Sequence, residues 1–103
     1  MTLAGLAVLL QSTGLPVTYR AWPENEAPRM PFLCYLVTDF YALHADGENY
    51  YRYHGVRVEL YTAFKDPVTE DLVETALAGM HFEKSETYLE SERCYLIAYE
   101  IEI

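Results

Sequence analysis

Residues 50–62 read YYRYHGVRVELYT, and from position 56 onward apolar and polar side chains alternate one by one. Successive side chains of a β-strand point to opposite faces of its sheet, so this period of two predicts a strand with one face in the core and one face of charged and aromatic groups. The chain must therefore fold into a sheet with two unlike faces. The core face holds Val56, Val58 and Leu60, and the other face holds Arg57, Glu59 and Tyr61.

The strand before this one is predicted from a nearly continuous apolar run. Residues 32–40 read FLCYLVTDF, which favours a central strand covered on both faces. Asp46-Gly47, within the polar segment 44–49, is a strong turn signal between two strands. We therefore expect a hairpin that joins residues 32–40 to residues 50–63.

Three more strands complete the predicted sheet. Residues 17–22, VTYRAW, are rich in β-forming residues, and residues 82–91 alternate loosely and are polar on both faces. Residues 93–103, RCYLIAYEIEI, form a strong final strand, which places Ile97 in the core. Ser91-Glu92 lies at the expected turn between the last two strands.

Two helices are indicated by their ends and by their apolar residues. Thr2 can cap a helix over the apolar run at residues 3–10, and Gly14 is a suitable residue to end it. Asp66-Pro67 is a typical helix start, with the carboxylate at the N-cap and proline at the first helical position. The apolar stripe predicted for this second helix is Val68, Leu72, Val73, Ala76, Leu77 and Met80.

The element order is therefore α-β-β-β-α-β-β within a single domain over residues 1–103. Such an order predicts an α+β fold with an antiparallel or mixed sheet and both helices packed on one face. The second face of the sheet would then have no cover within the monomer. We expect this second face to carry the function.

Charge and cysteine usage exclude several classes of protein. The net charge of −9, from 16 acidic and 7 basic residues, argues against sequence-independent nucleic-acid binding, which requires lysine and arginine to neutralise phosphates. The two cysteines, Cys34 and Cys94, lie in strand-like segments and are expected to be buried and reduced. The apolar run at residues 3–10 lacks a basic flank and is too short to span a bilayer, so a cytoplasmic site of synthesis is expected.

Catalytic and metal-binding patterns are missing from the sequence. His44, His54 and His81 have no metal-ligand spacing, and no nucleophile motif or phosphate loop accompanies them. His44 with Asp46 could form a base and its orienting group, but a polar hairpin loop is the simpler interpretation. We therefore predict no enzyme activity, no cofactor and no metal site.

The ten tyrosines have three possible roles. They can form cross-strand pairs that stabilise the sheet, they can form a subunit interface, or they can stack against sugars or bases. The proline-containing segment 22–31, WPENEAPRMP, is either a contact element or a solvated connection. The candidate residues for a subunit interface are Tyr51, Tyr53, Arg57, Glu59, Tyr61, Trp22 and Arg29.

Several stretches together resemble a known family. These are STGLPVTY, WPENEAPRMPFLCYL, ADGENYYRYHGVRVELYT with KDP soon after, and YLESERCYLIAYEIEI. In order, they resemble small phage and prophage head–tail morphogenesis proteins of Gram-positive bacteria, and the α/β layout is similar to the tail terminator, or tail completion, class. The resemblance covers nearly the whole chain.

The resemblance implies a structural protein of the virion. Members of that class form hexameric rings that cap the tail tube and contact the head connector, so the implied partners are other copies of the chain, the tail tube protein and the head connector protein. DNA would pass through a negatively charged pore without specific binding. The implied location is the host cytoplasm during assembly and then the head–tail junction. The alternatives are a head closure or adaptor protein of the same junction, and a ligand-binding module with an aromatic face.

Overall fold

A computed structural model describes the backbone of residues 1–45 and 48–103 and the side chains of residues 1–40 and 54–103. The described residues form a single α+β domain, and the predicted order α-β-β-β-α-β-β is confirmed. The elements are α1 (Leu3–Gln11), β1 (Val17–Tyr19), β2 (Phe32–Ala45), β3 (Glu48–Thr62), α2 (Pro67–Ala76), β4 (Glu83–Leu89) and β5 (Cys94–Glu102).

The strands form one mixed sheet in the order β1-β2-β3-β5-β4. β1 runs parallel to β2, and the other neighbouring strands are antiparallel. α2 connects β3 to the edge strand β4, and β5 then returns between them. The strand with the strict alternation, β3, is therefore the central strand of the sheet.

Both helices pack on one face of this sheet, as the sequence predicts. The core face of β3 is fully buried, and its side chains meet residues from both helices and from β2 and β5. Because residues opposite each other in an antiparallel pair share a face, Val56 lies beside Ile101 and Leu60 beside Ile97. The core consists of Leu6, Leu10, Leu33, Val56, Val58, Leu60, Val73, Leu77, Ile97, Tyr99 and Ile101.

The predicted helix ends are confirmed by their hydrogen bonds. The Thr2 hydroxyl accepts from the Gly5 amide at 3.0 Å, and an Asp66 carboxylate oxygen accepts from the Thr69 amide at 3.1 Å. Gly14 follows α1 with φ of +81°, a conformation that glycine adopts without steric cost. Thr2 and Asp66, the two N-cap residues, each accept from a backbone N–H group that the first helical turn leaves unpaired.

The stripe predicted for α2 is wrong in part, because the helix is rotated about its axis. Val68 is 80% exposed and Leu72 is 43% exposed, whereas Val73 and Leu77 are fully buried. The position turned toward the sheet in the first turn is Glu70, which is 2% exposed. Two lysines reach its carboxylate, so a charged side chain occupies a place that the apolar pattern assigned to valine and leucine.

β2 and β3 differ from their predicted extents. β2 continues to Ala45 rather than ending at residue 40, and it is covered on both faces only near Leu33 and Cys34. The pairing register shifts between Val37 and Asp39, opposite Gly55. A Cβ atom at Gly55 would lie 3.2 Å from the Asp39 Cβ atom, so the close approach of the strands at this bulge favours glycine.

The hairpin of β2 and β3 extends past the rest of the sheet. β5 pairs with β3 only from Gly55 onward, and one further pair of hydrogen bonds joins His54 to Ile103. Asp46-Gly47, the predicted turn, lies outside the described residues. No helix in the described part of the chain is long and apolar enough to cross a membrane.

Candidate functional site

The sheet face opposite the helices is here called the uncovered face. It carries Arg57, Glu59 and Tyr61, the predicted interface residues of β3 whose side chains are described. Tyr61 of β3 stands beside Phe32 of β2, and Arg57 stands beside Leu36. On the other side of β3, Arg57 is paired with Glu100 of β5. The uncovered face therefore combines aromatic, apolar and charged groups in neighbouring positions.

Four side chains of the uncovered face form a connected row, here called the polar row: Tyr61, Glu59, Arg57 and Glu100. The Tyr61 hydroxyl donates to Oε1 of Glu59 at 3.1 Å. Arg57 Nη1 lies 4.0 Å from Oε2 of Glu59, and Arg57 Nε donates to Oε1 of Glu100 at 2.6 Å. The polar row thus runs along β3 and crosses to β5.

Exposure differs sharply along the polar row. The Glu59 side chain is 12% exposed, whereas those of Arg57 and Glu100 are 40% and 42% exposed. Burial and the negative charge of Glu59 raise the pKa of Tyr61, so its hydroxyl remains protonated and can donate at neutral pH. The hydrogen bond to Glu100 raises the pKa of Arg57. The end of the polar row formed by Arg57 and Glu100 is therefore partly exposed to solvent, and Glu59 is more enclosed.

Two aromatic rings, those of Phe32 and Trp22, continue the uncovered face beyond Tyr61. Phe32 and Tyr61 lie 5.2 Å apart between ring centroids, and Trp22 meets Phe32 edge to face at 5.8 Å. Trp22 Nε1 is buried and has no acceptor among the described residues. The segment between β1 and β2, here called the proline loop (residues 20–31), therefore folds back onto the sheet and is not a fully solvated connection.

Residues of the proline loop and of the sheet line an open cleft of about 500 Å³ beside Tyr61. Pro28 and Met30 of the proline loop line it together with Phe32, Tyr61 and Cys94 of the sheet. The remaining lining residues are Ala27, Arg29 and Glu92. The uncovered face is therefore partly covered at this end, which corrects the expectation that nothing in the monomer covers it.

Both cysteines are buried and free, as predicted. Cys34 is 3% exposed and Cys94 is 2% exposed. Burial and the charge of Glu59 raise the pKa of Cys34 to about 11, and burial raises the pKa of Cys94 as well. Thiols in this state are poor nucleophiles and act as small apolar side chains.

The structure brings together, in one region, the predicted interface residues whose side chains are described. Arg57, Glu59 and Tyr61 lie on the uncovered face, Trp22 reaches it through Phe32, and Arg29 lines the same cleft as Tyr61. The side chains of Tyr51 and Tyr53 lie outside the described residues, so their predicted role in an interface stays a prediction.

Two residues that matter here were missed by sequence reasoning. Phe32 joins Trp22 to Tyr61, and Glu100 pairs with Arg57. The alternation of the last strand predicts that Glu100 lies on the face opposite Ile97. Its contact with Arg57, however, depends on which strand lies beside β5. The alternation of β3 contains no information about which strand lies beside it, so the sequence alone could not supply that contact.

Tyrosines away from the uncovered face pack across strands. Tyr19 and Tyr35, on β1 and β2, meet edge to face at 5.1 Å, and Tyr88 and Tyr95, on β4 and β5, do so at 5.0 Å. Tyr99 is fully buried under the helices. The first four form the cross-strand aromatic pairs that the sequence predicts, whereas the ring of Tyr99 packs against Phe82.

The candidate base and orienting group, His44 and Asp46, lie outside the residues whose side chains are described, so this alternative stays untested. His54 stacks edge to face on Phe40 at 5.1 Å, His81 is exposed, and the side chain of His44 lies outside the description. In the part of the chain whose side chains are described, no group of three or more histidine, cysteine or acidic residues could hold a metal ion.

Comparison of the sequence with known proteins found no match. No protein-family model matches the sequence, and no curated protein matches it either.

Proposed function

We propose that this protein is a non-enzymatic structural subunit of the head–tail junction of a long-tailed phage or prophage, and that its copies assemble into a ring in the manner of tail terminator proteins. The observation that carries this proposal is the uncovered face of the sheet. Its aromatic residues, its partly exposed ion pair between Arg57 and Glu100 and the adjoining cleft are features of protein interfaces.

Composition supports an interface rather than a nucleic-acid grip. The net charge of −9 is unfavourable for holding a phosphate backbone, whereas a ring of such subunits would repel DNA that passes through its pore. The proposed ring is hexameric, and its partners are the tail tube protein and the head connector protein. A head closure or adaptor subunit of the same junction is the second candidate from the resemblance.

The test is deletion of the gene from the phage or prophage genome that carries it, followed by electron microscopy of the particles. We expect complete heads that are not joined to tails, together with tails of irregular length, because an uncapped tube can continue to grow. Supplying the wild-type chain should restore joined particles of uniform length. Tails of normal length with unjoined heads would favour the head closure function, and unchanged particles would contradict both functions.

A further inference from the structure

The edge strand β4 is joined to the domain with little burial of apolar surface. Its residues from Glu83 to Tyr88 are exposed, and Leu89 is half-buried. All of β4 is described, and none of its side chains belongs to the buried core. Because burial of apolar surface is the dominant stabilising contribution in folding, β4 lacks what holds its neighbour β5 in place.

The pairing register explains why β4 contributes nothing to the core. Lys84 lies opposite Tyr99, and Glu86 lies opposite Ile97, and both of these β5 residues are buried on the helix side of the sheet. Since opposite residues share a face, two charged side chains occupy the helix-side positions of β4 beside the core. The third such position, Tyr88, stays exposed.

Two lysines attach β4 to α2 through a set of ion pairs, here called the latch: Lys65, Glu70, Glu74, Lys84 and Glu86. Lys84 Nζ lies 2.8 Å from Oε1 of Glu70 and 2.8 Å from Oε2 of Glu74. Lys65 Nζ lies 2.7 Å from Oε2 of Glu70 and 2.5 Å from Oε1 of Glu86. Both charged helix-side residues of β4 are therefore held by the latch.

The contact between Lys84 and Glu70 is the strongest part of the latch. The Glu70 side chain is only 3% exposed, whereas that of Glu86 is 43% exposed, and opposite charges attract more strongly where water is excluded. The Tyr99 hydroxyl donates to Oε2 of Glu74 at 2.9 Å, and Lys84 Nζ lies 6.0 Å from the centre of the Tyr99 ring. Lys84 therefore connects the edge strand to the buried side of α2.

We propose that β4 opens as a unit while the rest of the domain stays folded, and that the latch controls this opening through the charges of Glu70 and Glu74. Opening separates residues 83–89 from β5 and withdraws Lys84 from both carboxylates, but it removes no side chain from the core. Phe82 marks the fixed end of the moving segment, because its ring packs on Tyr99 at 5.3 Å. β5 then becomes an edge strand, whose free backbone groups can pair with another strand.

Acid should favour the open form. The two lysines lower the pKa of Glu70 against the effect of burial, so the latch stabilises the closed form above the unfolded pKa of about 4.3. This stabilisation is lost as the pH falls through the lowered value. Lys84 stays charged at neutral pH, because its hydrogen bonds to the two carboxylates raise its pKa. The charged groups around Glu70 and Tyr99 are Lys65, Asp71, Glu74, Lys84 and Glu86.

Backbone amide hydrogen exchange of the purified protein, followed residue by residue by NMR, tests the opening. We expect the paired amides of β4 to be protected at least about 100-fold less than those of the central strand β3, because local opening costs less free energy than global unfolding. Low concentrations of urea should speed the exchange of β3 but hardly that of β4, since the opening of one edge strand exposes little surface.

Lys84→Met tests the latch, because it keeps most of the side-chain stem and removes the charge. At pH 7 it should speed the exchange of β4 by about tenfold or more. The difference from wild type should shrink below about pH 4, where Glu70 and Glu74 lose their charge. The matched control is Glu83→Gln, which removes a charge from the same strand at a position opposite Glu100 and outside the latch. This control should not speed the exchange of β4.

Two results would overturn the proposal. Amides of β4 that are protected as well as those of β3, with the same dependence on urea, would show that β4 opens only when the whole domain unfolds. A folded Lys84→Met chain with wild-type protection of β4 would show that the latch does not control the strand. The wild-type measurement requires no variant, so it decides the opening even if Lys84→Met does not fold. Neither result bears on the proposed ring, which the particles of the deletion strain decide.

Discussion

Glu70 Oε1 and Lys84 Nζ lie 2.8 Å apart and join the first turn of α2 to β4. Lys65 Nζ approaches the other oxygen of Glu70 at 2.7 Å, and the Glu70 side chain is only 3% exposed. Burial would raise the pKa of Glu70, but the hydrogen bonds and charges of the two lysines outweigh burial and lower this pKa. Both lysine contacts thus stabilise the charged form of Glu70 on the side of α2 that faces the sheet.

The first prediction follows from this lowered pKa. A carboxyl group whose pKa is lower in the folded state stabilises the fold above its unfolded pKa, about 4.3 for glutamate, and this contribution is lost as the pH falls through the folded value. We expect Glu70→Gln to reduce the free energy of unfolding by about 1.5–3 kcal/mol at pH 7. The difference from wild type should shrink below pH 4 in urea denaturation.

Glu86 provides the matched control for this experiment. It pairs with the same Lys65 at 2.5 Å, but its side chain is 43% exposed. Because exposed ion pairs contribute about 0–1 kcal/mol, Glu86→Gln should have a small effect with little dependence on pH. Equal effects of the two substitutions would show that burial of Glu70 does not matter.

The second prediction compares two apolar residues that the sequence alone places together in the core. Ile97 is fully buried, whereas Leu72 is 43% exposed. We expect Ile97→Ala to lower the free energy of unfolding by about 2–4 kcal/mol, because it leaves a cavity in the core. Leu72→Ala should cost less than about 1 kcal/mol. Chemical denaturation of both variants checks the rotation of α2, and equal losses would contradict it.

The difference between these residues shows what apolar periodicity determines and what it does not. The predicted stripe contains Val68 and Leu72 as well as Val73 and Leu77, whereas the positions buried in the structure are Glu70, Val73 and Leu77. Glu70 is buried where Lys65 and Lys84 both form ion pairs with its carboxylate. Lys84 comes from β4, so a contact between distant segments overrides the local pattern.

The sheet itself was easier to predict, because strict alternation assigns each side chain to a face. Val56 and Leu60 are buried and Arg57 is on the uncovered face, as the period of two requires. The cleft was not predictable in the same way. It depends on the proline loop folding back so that Met30 and Tyr61 line the same cleft, and no periodic signal in the sequence marks that return.

The third prediction concerns the thiols. Because burial raises the pKa of Cys34 to about 11, almost none of this thiol is ionised at pH 8, and Cys94 is shielded in the same way. Native protein should therefore react with a thiol-specific chromogenic reagent very slowly, whereas protein unfolded in denaturant should react at both cysteines at once. Rapid reaction of Cys94 in the folded protein would mean that the cleft beside this residue opens.

The fourth prediction separates folding from assembly on the uncovered face. Arg57 and Glu100 form an ion pair of 2.6 Å in which both side chains remain about two-fifths exposed. Exposed pairs of this kind contribute about 0–1 kcal/mol to folding, so Arg57→Ala should leave the melting curve nearly unchanged. Arginine is nevertheless a frequent hot spot at interfaces, and its loss should weaken self-association by about tenfold or more if this face meets another copy.

Arg20→Ala is the matched control for Arg57→Ala. It removes the same charge from an exposed position just after β1, away from the polar row, and should change neither folding nor assembly. Circular dichroism melting and sedimentation at matched concentrations measure the two properties separately. A large loss of stability in Arg57→Ala would show that the polar row stabilises the folded monomer. A folded Arg57→Ala chain that assembles as well as Arg20→Ala would show that the charged end of the polar row stays in solvent in the assembly.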